Sequence, residues 1–584
     1  MKQLLIVCLL VFISSSAFAG TQYYLDPSCT YNGNGLTSTC AASAGASGAY
    51  NTCFTLSGTG SDLSIKAGTT LANCRIPITA SGTSGDHVVI TRYGAGDDPV
   101  LDGAVTQANS WTLSSGNIYY SSNTTSVQYK VVTVDGVRLK AVSSLGAMTA
   151  GTHFTDTAAS RLYIWMSAGG NPTGHTVEYA ANTTAYYDLI DTAFSNVSYI
   201  DVSYLTLKRS HNMNIHLGYG SGSCTNCSIS HVTSTMSGSR GIMIAGNNPT
   251  ITYNTCSDNN SEITSPDNAC IVREAKTGTV NTGGEVAYNT VSNTRYGSCY
   301  EINASGADSG VDGTWFHDNV GTQCRSGLEL FGCNTTSGSG VCTGVVNSII
   351  EKNHWSGSGL TQIGSGYGRC TGGGNNASYN TWRNNICEGF STKGFHVLNG
   401  RLANQGGHHN KFYNNTEYAT DVRSSSSNAA MGGDIASGNV GGNEWKNNIV
   451  YLPNGGRCIY TASGVTGDIY DKNICYSASG NWATYAGVDK ATMSAYKTAY
   501  TTATTLTDNS SNVDPDINLS TFMPNVSSPT IGFGLTTLGV TEDYNGVSRG
   551  ASNDAGAVSY VSPSLPATRI IRGNGTVLRN FTFN

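Results

Sequence analysis

Charge is scarce in this chain. Only 12% of its 584 residues are Asp, Glu, Lys or Arg, and the formal net charge is −6. A surface that grips phosphates needs concentrated Lys and Arg, so this composition argues against DNA or RNA as a partner. Long runs of Ala, Leu, Glu and Lys are also missing, while Gly alone fills 71 positions and Ser, Thr and Asn are frequent. That balance disfavours helices and favours short strands joined by turns. A membrane-spanning helix needs about 20 apolar residues, and the apolar run from Leu4 to Ile13 is too short.

That run follows Met1-Lys2-Gln3 and precedes the small-residue site Ala17-Phe18-Ala19. A basic start, an apolar stretch and a small-residue site predict a secretory signal peptide over residues 1–19, cleaved after Ala19. Of 17 cysteines, Cys8 would leave with it, and the remaining 16 fit disulfides in an exported protein. Cys29 with Cys40, Cys53 with Cys74, and Cys333 with Cys342 are plausible local pairs. Cys224-x-x-Cys227 lacks a second Cys or His pair at zinc spacing.

The most regular feature is a large apolar residue followed, three positions later, by asparagine. It recurs as Ile251/Asn254, Val286/Asn289, Phe316/Asn319, Ile350/Asn353, Trp382/Asn385, Phe412/Asn415, Trp445/Asn448 and Tyr470/Asn473. The asparagines are 35, 30, 34, 32, 30, 33 and 25 residues apart. A period in that range predicts a stacked solenoid with one strand of this type per coil. The apolar residues then form an inward row, and the asparagines a ladder at a turn.

Near the start stand Leu63-Ser64-Ile65-Lys66-Ala67-Gly68, Gly82-Thr83-Ser84-Gly85, Val88-Val89-Ile90-Thr91-Arg92-Tyr93-Gly94 and Pro99-Val100-Leu101-Asp102-Gly103. This opening resembles the N-terminal coils of right-handed parallel β-helix proteins of the pectate-lyase-like superfamily. The resemblance extends over about residues 21–105 and 195–480. It implies an all-β protein, a right-handed parallel β-helix (solenoid) with a small β insertion and an irregular C-terminal cap. The corresponding divisions are a cap with the first coils over 20–105, the insertion over 106–190 and the central β-helix over 191–480. A C-terminal coil and cap region over 481–560 and a loosely ordered tail over 561–584 complete the chain. A short helix is expected around Asp489 to Tyr500.

A second strand recurs before each asparagine motif: Gly241-Ile242-Met243-Ile244, Ala269-Cys270-Ile271-Val272-Arg273, Cys299-Tyr300-Glu301-Ile302, Gly327-Leu328-Glu329-Leu330 and Gly394-Phe395-His396-Val397. Period-two alternation with Ile242, Cys270, Tyr300, Leu328 and Phe395 inward places Met243, Ile271, Glu301, Glu329 and His396 outward in one column, with Arg273 also outward. In the pectate-lyase-like enzymes the corresponding strand lines the substrate cleft, which implies the same for this column.

Glu301 and Glu329, on consecutive coils, should have Cα atoms about 5 Å apart. Paired carboxylates at that spacing serve a retaining glycosidase as acid and nucleophile, or act as calcium ligands in a β-eliminating lyase. The candidate catalytic residues are therefore Glu301, Glu329, Arg273 and His396, with Glu301 and Glu329 as calcium ligands if a metal is used and no cofactor otherwise. Arg295, Arg325, Tyr296, Trp355 and Tyr367 are the candidate substrate-binding residues, the aromatics in loops that would build cleft walls. Glu274 and Asp308 read as surface residues.

The chain lacks the Arg-x-Pro-x-x-Arg-like segment of pectate lyases, the paired-Asp pattern of polygalacturonases and the Asp-Pro-His motif of alginate epimerases. The expected function is a secreted or cell-surface polysaccharide-binding protein that cleaves its polymer as a lyase or glycosidase. The alternative is a non-catalytic, adhesin-like glycan binder whose Arg–Glu–Glu column is only a solvated ion-pair ladder.

Overall fold

The computed structural model describes residues 20–123, 126–180, 188–192, 194–218, 220–260, 268–294, 297–304, 308–332, 343–357, 368–374, 376–397, 407–420, 429–433, 441–463, 465–478, 482–500, 505–507, 510–550, 553–562, 572–573 and 576–577. The signal-peptide segment and the Cys333–Cys342 pair lie outside them.

Short strands stack in parallel into three long sheets, of 14, 13 and 13 strands. The asparagine motif forms the first, here the asparagine sheet. Ile251, Val286, Phe316, Ile350, Trp382, Phe412, Trp445 and Tyr470 are register partners in sequence order, and all are buried. The rings of Phe412 and Trp445 stack with centroids 5.2 Å apart, and those of Trp445 and Tyr470 at 4.8 Å.

Each asparagine of the ladder follows a residue in the left-handed region, such as Tyr253 (φ 59°), Lys352 (φ 55°) or Lys472 (φ 54°). That conformation turns the chain sharply and costs a non-glycine residue about 1 kcal/mol. The ladder offsets the cost. From Asn254 to Asn448, each Nδ2 donates to the Oδ1 of the next asparagine at 2.9–3.0 Å, and the backbone N–H donates to the same oxygen. A second ladder, unforeseen from the sequence, runs Asn380–Asn410–Asn443 on the preceding corner and ends on Asp468.

The third sheet turns an inward row of Cys256, Val291, Gly321, Trp355, Cys387, Glu417, Val450 and Cys475 to the core. Disulfides Cys256–Cys270, Cys370–Cys387 and Cys458–Cys475 tie this row to the remaining long sheet. Cys29–Cys40 and Cys53–Cys74 are also bonded, as is Cys224–Cys227, which removes those two thiols as metal ligands.

Two small, largely antiparallel sheets are built between Ala104 and Ala180, around a hairpin whose turn, Asp135-Gly136, has positive φ at both positions. They dock on the solenoid through Arg138, which donates to the carbonyls of Ser237, Asp258 and Asn260. Arg209 adds ion pairs with Asp102 and Glu178.

At the other end, the helix Met493–Ala499 closes the core with Met493 and Tyr496, followed by Tyr500. It starts later than expected because Val488–Lys490 first folds back on Ala483–Tyr485 as a hairpin. The chain beyond runs back along the outside of the third sheet, where Ile517, Phe522 and Val558 pack on Ile386, Ile449 and Ile474.

Candidate functional site

The remaining long sheet carries the expected column. Register partners run His216, Met243, Val272, Glu301, Glu329, Gly372, His396, Gly432 and Tyr460. Glu301 and Glu329 are therefore direct neighbours, about 4.8 Å apart along the backbone. His396 stands two coils further on, across Gly372.

One coil departs from expectation. Ile271, not Cys270, pairs with Tyr300 and points inward. Val272 thus takes the column position expected for Ile271. It packs with Met213, Met243 and Ala269 in a small apolar cluster. A slip of one residue reverses every side chain of a strand. Arg273 accordingly lies in the inward row between Ile244 and Ile302, at 1% exposure, and does not join the carboxylates.

Trp355 is likewise no cleft wall. It is a core residue of the strand His354–Ser356, and its indole fills space left by Gly321 and Gly327. Arg325 is buried just before the strand Ser326–Phe331. Arg295, Tyr296 and Tyr367 lie outside the described residues. Residues 369–374 form a full strand of this sheet.

The carboxylates have partners that the sequence did not single out. Glu301 Oε1 accepts from Asn303 Nδ2 at 2.5 Å and lies 3.5 Å from Arg240 Nη2. Arg240 Nη1 is 3.3 Å from Glu274 Oε2, so the expected surface residue Glu274 belongs to the same cluster. Glu329 Oε1 accepts from the Ser326 hydroxyl at 2.7 Å and lies 3.3 Å from Arg369 Nε. Both glutamates are almost fully enclosed, at 2% and 3% exposure. The His396 ring faces that of Tyr460 at 6.3 Å, across Gly432.

Burial pushes the Glu301 pKa up to about 8; Arg240 and the Asn303 hydrogen bond oppose the rise, while Glu274 and Glu329 add to it. Glu301 Oε2 has no hydrogen-bond partner among the described residues. Glu301 is thereby biased toward its protonated form, next to Glu329, which is bonded to a hydroxyl and paired with an arginine. An acid beside a carboxylate is the arrangement that proton transfer to a leaving group requires.

The same set does not fit calcium. That ion takes six to eight oxygens, whereas here Arg240 and Arg369 already stand against the carboxylates. Among the described residues the only clustered ligand set is Asp26 with Cys29 and Cys40, and those sulfurs are bonded to each other.

No family model matches the sequence. No curated protein matches it either. Solved structures do resemble it in shape. The complex of XylC with xylose superposes with a TM-score of 0.52 at 11% identity, covering 85% of this chain and 87% of that one. Pectate lyase Pel9A aligns over 92% of this chain and 96% of its own, at 12% identity and a TM-score of 0.36. A mannuronic acid specific family 6 polysaccharide lyase from human gut microbiota aligns over 78% and 86%, at 11% and 0.35. The fold is a right-handed parallel β-helix.

Proposed function

We propose that this is an exported β-helix protein that binds a polysaccharide along the Glu301–Glu329 column and cleaves its glycosidic linkages. The observation that carries this reading is a buried carboxyl group, whose pKa burial raises to about 8, in register with a second carboxyl group on the adjacent coil. Glu301 donates the proton to the departing sugar oxygen. Glu329, about one strand spacing away, attacks the anomeric carbon as its bond to that oxygen breaks, and water deprotonated by Glu301 then displaces Glu329 and frees the reducing end, as in retaining glycosidases. Arg240 and Arg369 hold the two side chains in place, and His396 with Tyr460 extends the same face toward later coils. Export is supported by the disulfides, which persist in oxidising compartments.

The second reading, a glycan binder without catalysis, draws on the arginine that each carboxylate already meets. The two separate in one experiment. A panel of neutral and acidic polysaccharides is incubated with the protein and assayed for new reducing ends and for unsaturated ends. Reducing ends without unsaturation, lost in both Glu301→Gln and Glu329→Gln, are expected. Unsaturated ends would replace hydrolysis by elimination. Binding without product from any polymer would leave the binder, and product undiminished in both variants would remove this site.

A further inference from the structure

Arg273 is the one charged side chain among the largest that are fully enclosed in the described structure. Its neighbours along the inward row are Ile244 on one side and Ile302 on the other, with Leu330 one coil further. At a repeat of about 4.8 Å these are its immediate surroundings along the axis, and none of their side chains can accept a hydrogen bond. Nη1 donates to the carbonyl of Glu274. Nε and Nη2 are buried and meet no acceptor among the described residues. The carboxylate next in sequence, Glu274, is turned to the outer face and paired with Arg240.

A cation enclosed in apolar surroundings costs several kcal/mol unless a counter-charge and hydrogen bonds compensate it. Loss of the proton does not solve the problem. Burial pushes the pKa down only to about 9, with Glu274 opposing the fall, so the guanidinium stays charged at neutral pH. The two orphaned donors are also not scattered. Nε–H and the adjacent Nη2–H form one edge of the guanidinium, the parallel fork that grips a single anion with two hydrogen bonds. The occupant must be small, since it shares a row with two isoleucines, and needs no hydrogen bonds beyond that fork.

We infer that the Nε/Nη2 edge of Arg273 binds one halide-sized monovalent anion, chloride in most media, inside the solenoid behind the carboxylate-bearing face. The site is separate from the Glu301–Glu329 column and acts on stability: the anion neutralises the coil on which the next coil, carrying Glu301, is stacked.

The test uses the full chain dialysed into sodium chloride, sodium bromide or sodium gluconate at equal ionic strength and pH 7. Thermal unfolding should occur several degrees higher in either halide than in gluconate. In Arg273→Met, which keeps an unbranched side chain without charge, the three salts should give one Tm. Crystals grown in bromide should show an anomalous peak within hydrogen-bonding reach of Nε and Nη2. Equal wild-type Tm in halide and gluconate overturns the inference, as does a halide effect that survives in Arg273→Met. Should that variant not fold, the bromide crystal decides, and a missing peak at this edge overturns it.

Discussion

Gly394 and Glu417 face each other across the solenoid interior at the position where the preceding coil carries the Cys370–Cys387 disulfide. The Cys458–Cys475 disulfide fills the same position two coils later. One coil has thus exchanged a covalent bridge for a glycine and a carboxylate. A Cβ at residue 394 would overlap the Glu417 carboxylate, so Gly394→Ala should destabilise the protein by about 1–3 kcal/mol through overpacking. The double change Gly394→Cys with Glu417→Cys should restore the bridge of the neighbouring coils. A gain of about 2–4 kcal/mol is expected for such a closure, read as a rise in Tm that a reductant abolishes.

The proton on Glu301 sets the pH dependence of the proposed reaction. Activity should fall as pH passes about 8, where burial no longer keeps this carboxyl protonated. Stability follows the same group. Its folded pKa is raised, so its contribution is full below the ordinary glutamate value of 4.5 and is lost as pH rises through about 8. Glu301→Gln should therefore abolish turnover while making Tm less sensitive to pH between those limits. A rate profile flat through pH 9 in the wild type would show that another group supplies the proton.

Which features could be read from the sequence follows from how each is encoded. The asparagine ladder is legible because one side chain repeats at one register and each copy bonds the next. The ladder through Asn380, Asn410 and Asn443 is encoded as plainly, two residues before each apolar position, but only in three coils before Asp468 replaces it. The pairing of Glu301 with Glu329 could be read because both sit between apolar residues in short, similar strands. Arg273 could not, because Cys270 and Ile271 are both apolar and both buried, so either could begin the inward row. Arg240 and Arg369 were invisible for another reason. Their long side chains meet carboxylates across coils, and no periodicity in the sequence reports where such a side chain ends.

Asp468 terminates the second ladder. Its Oδ1 accepts from the backbone and side chain of Asn443, while its buried Oδ2 has no partner among the described residues. Burial pushes its pKa up to about 7, against the hydrogen bonds from Asn443. A raised folded pKa means that stability is lost as pH climbs from about 4 toward 7. The span corresponds to about 4 kcal/mol at most. Asp468→Asn continues the ladder without a charge. Its Tm should exceed that of the wild type by several degrees at pH 8, and the two should converge near pH 4. Identical Tm values at both pH values would mean that the Asp468 charge is compensated.

Acid should act at the opposite end, where the small sheets meet the solenoid. His153 is enclosed in the strand Thr152–Asp156, and burial, with Arg138 nearby, pushes its pKa down to about 3. His211 is lowered to about 3 as well, by burial first and then Lys130, with Asp188 opposing. For a base with a depressed folded pKa, stability is full above the unfolded value of 6.5 and drains as pH falls toward 3. At pH 4 a single such histidine costs up to about 3 kcal/mol. His153→Phe keeps a flat ring without a titrating nitrogen, so it should resist acid better than the wild type while differing little at pH 8. Limited proteolysis across pH 4–7 locates the opening: cleavage confined to residues 104–180 is expected, because His153 lies within that unit and His211 is near enough to its Lys130 to be lowered by it. Cleavage that begins instead in the central coils would place the acid-sensitive contact elsewhere.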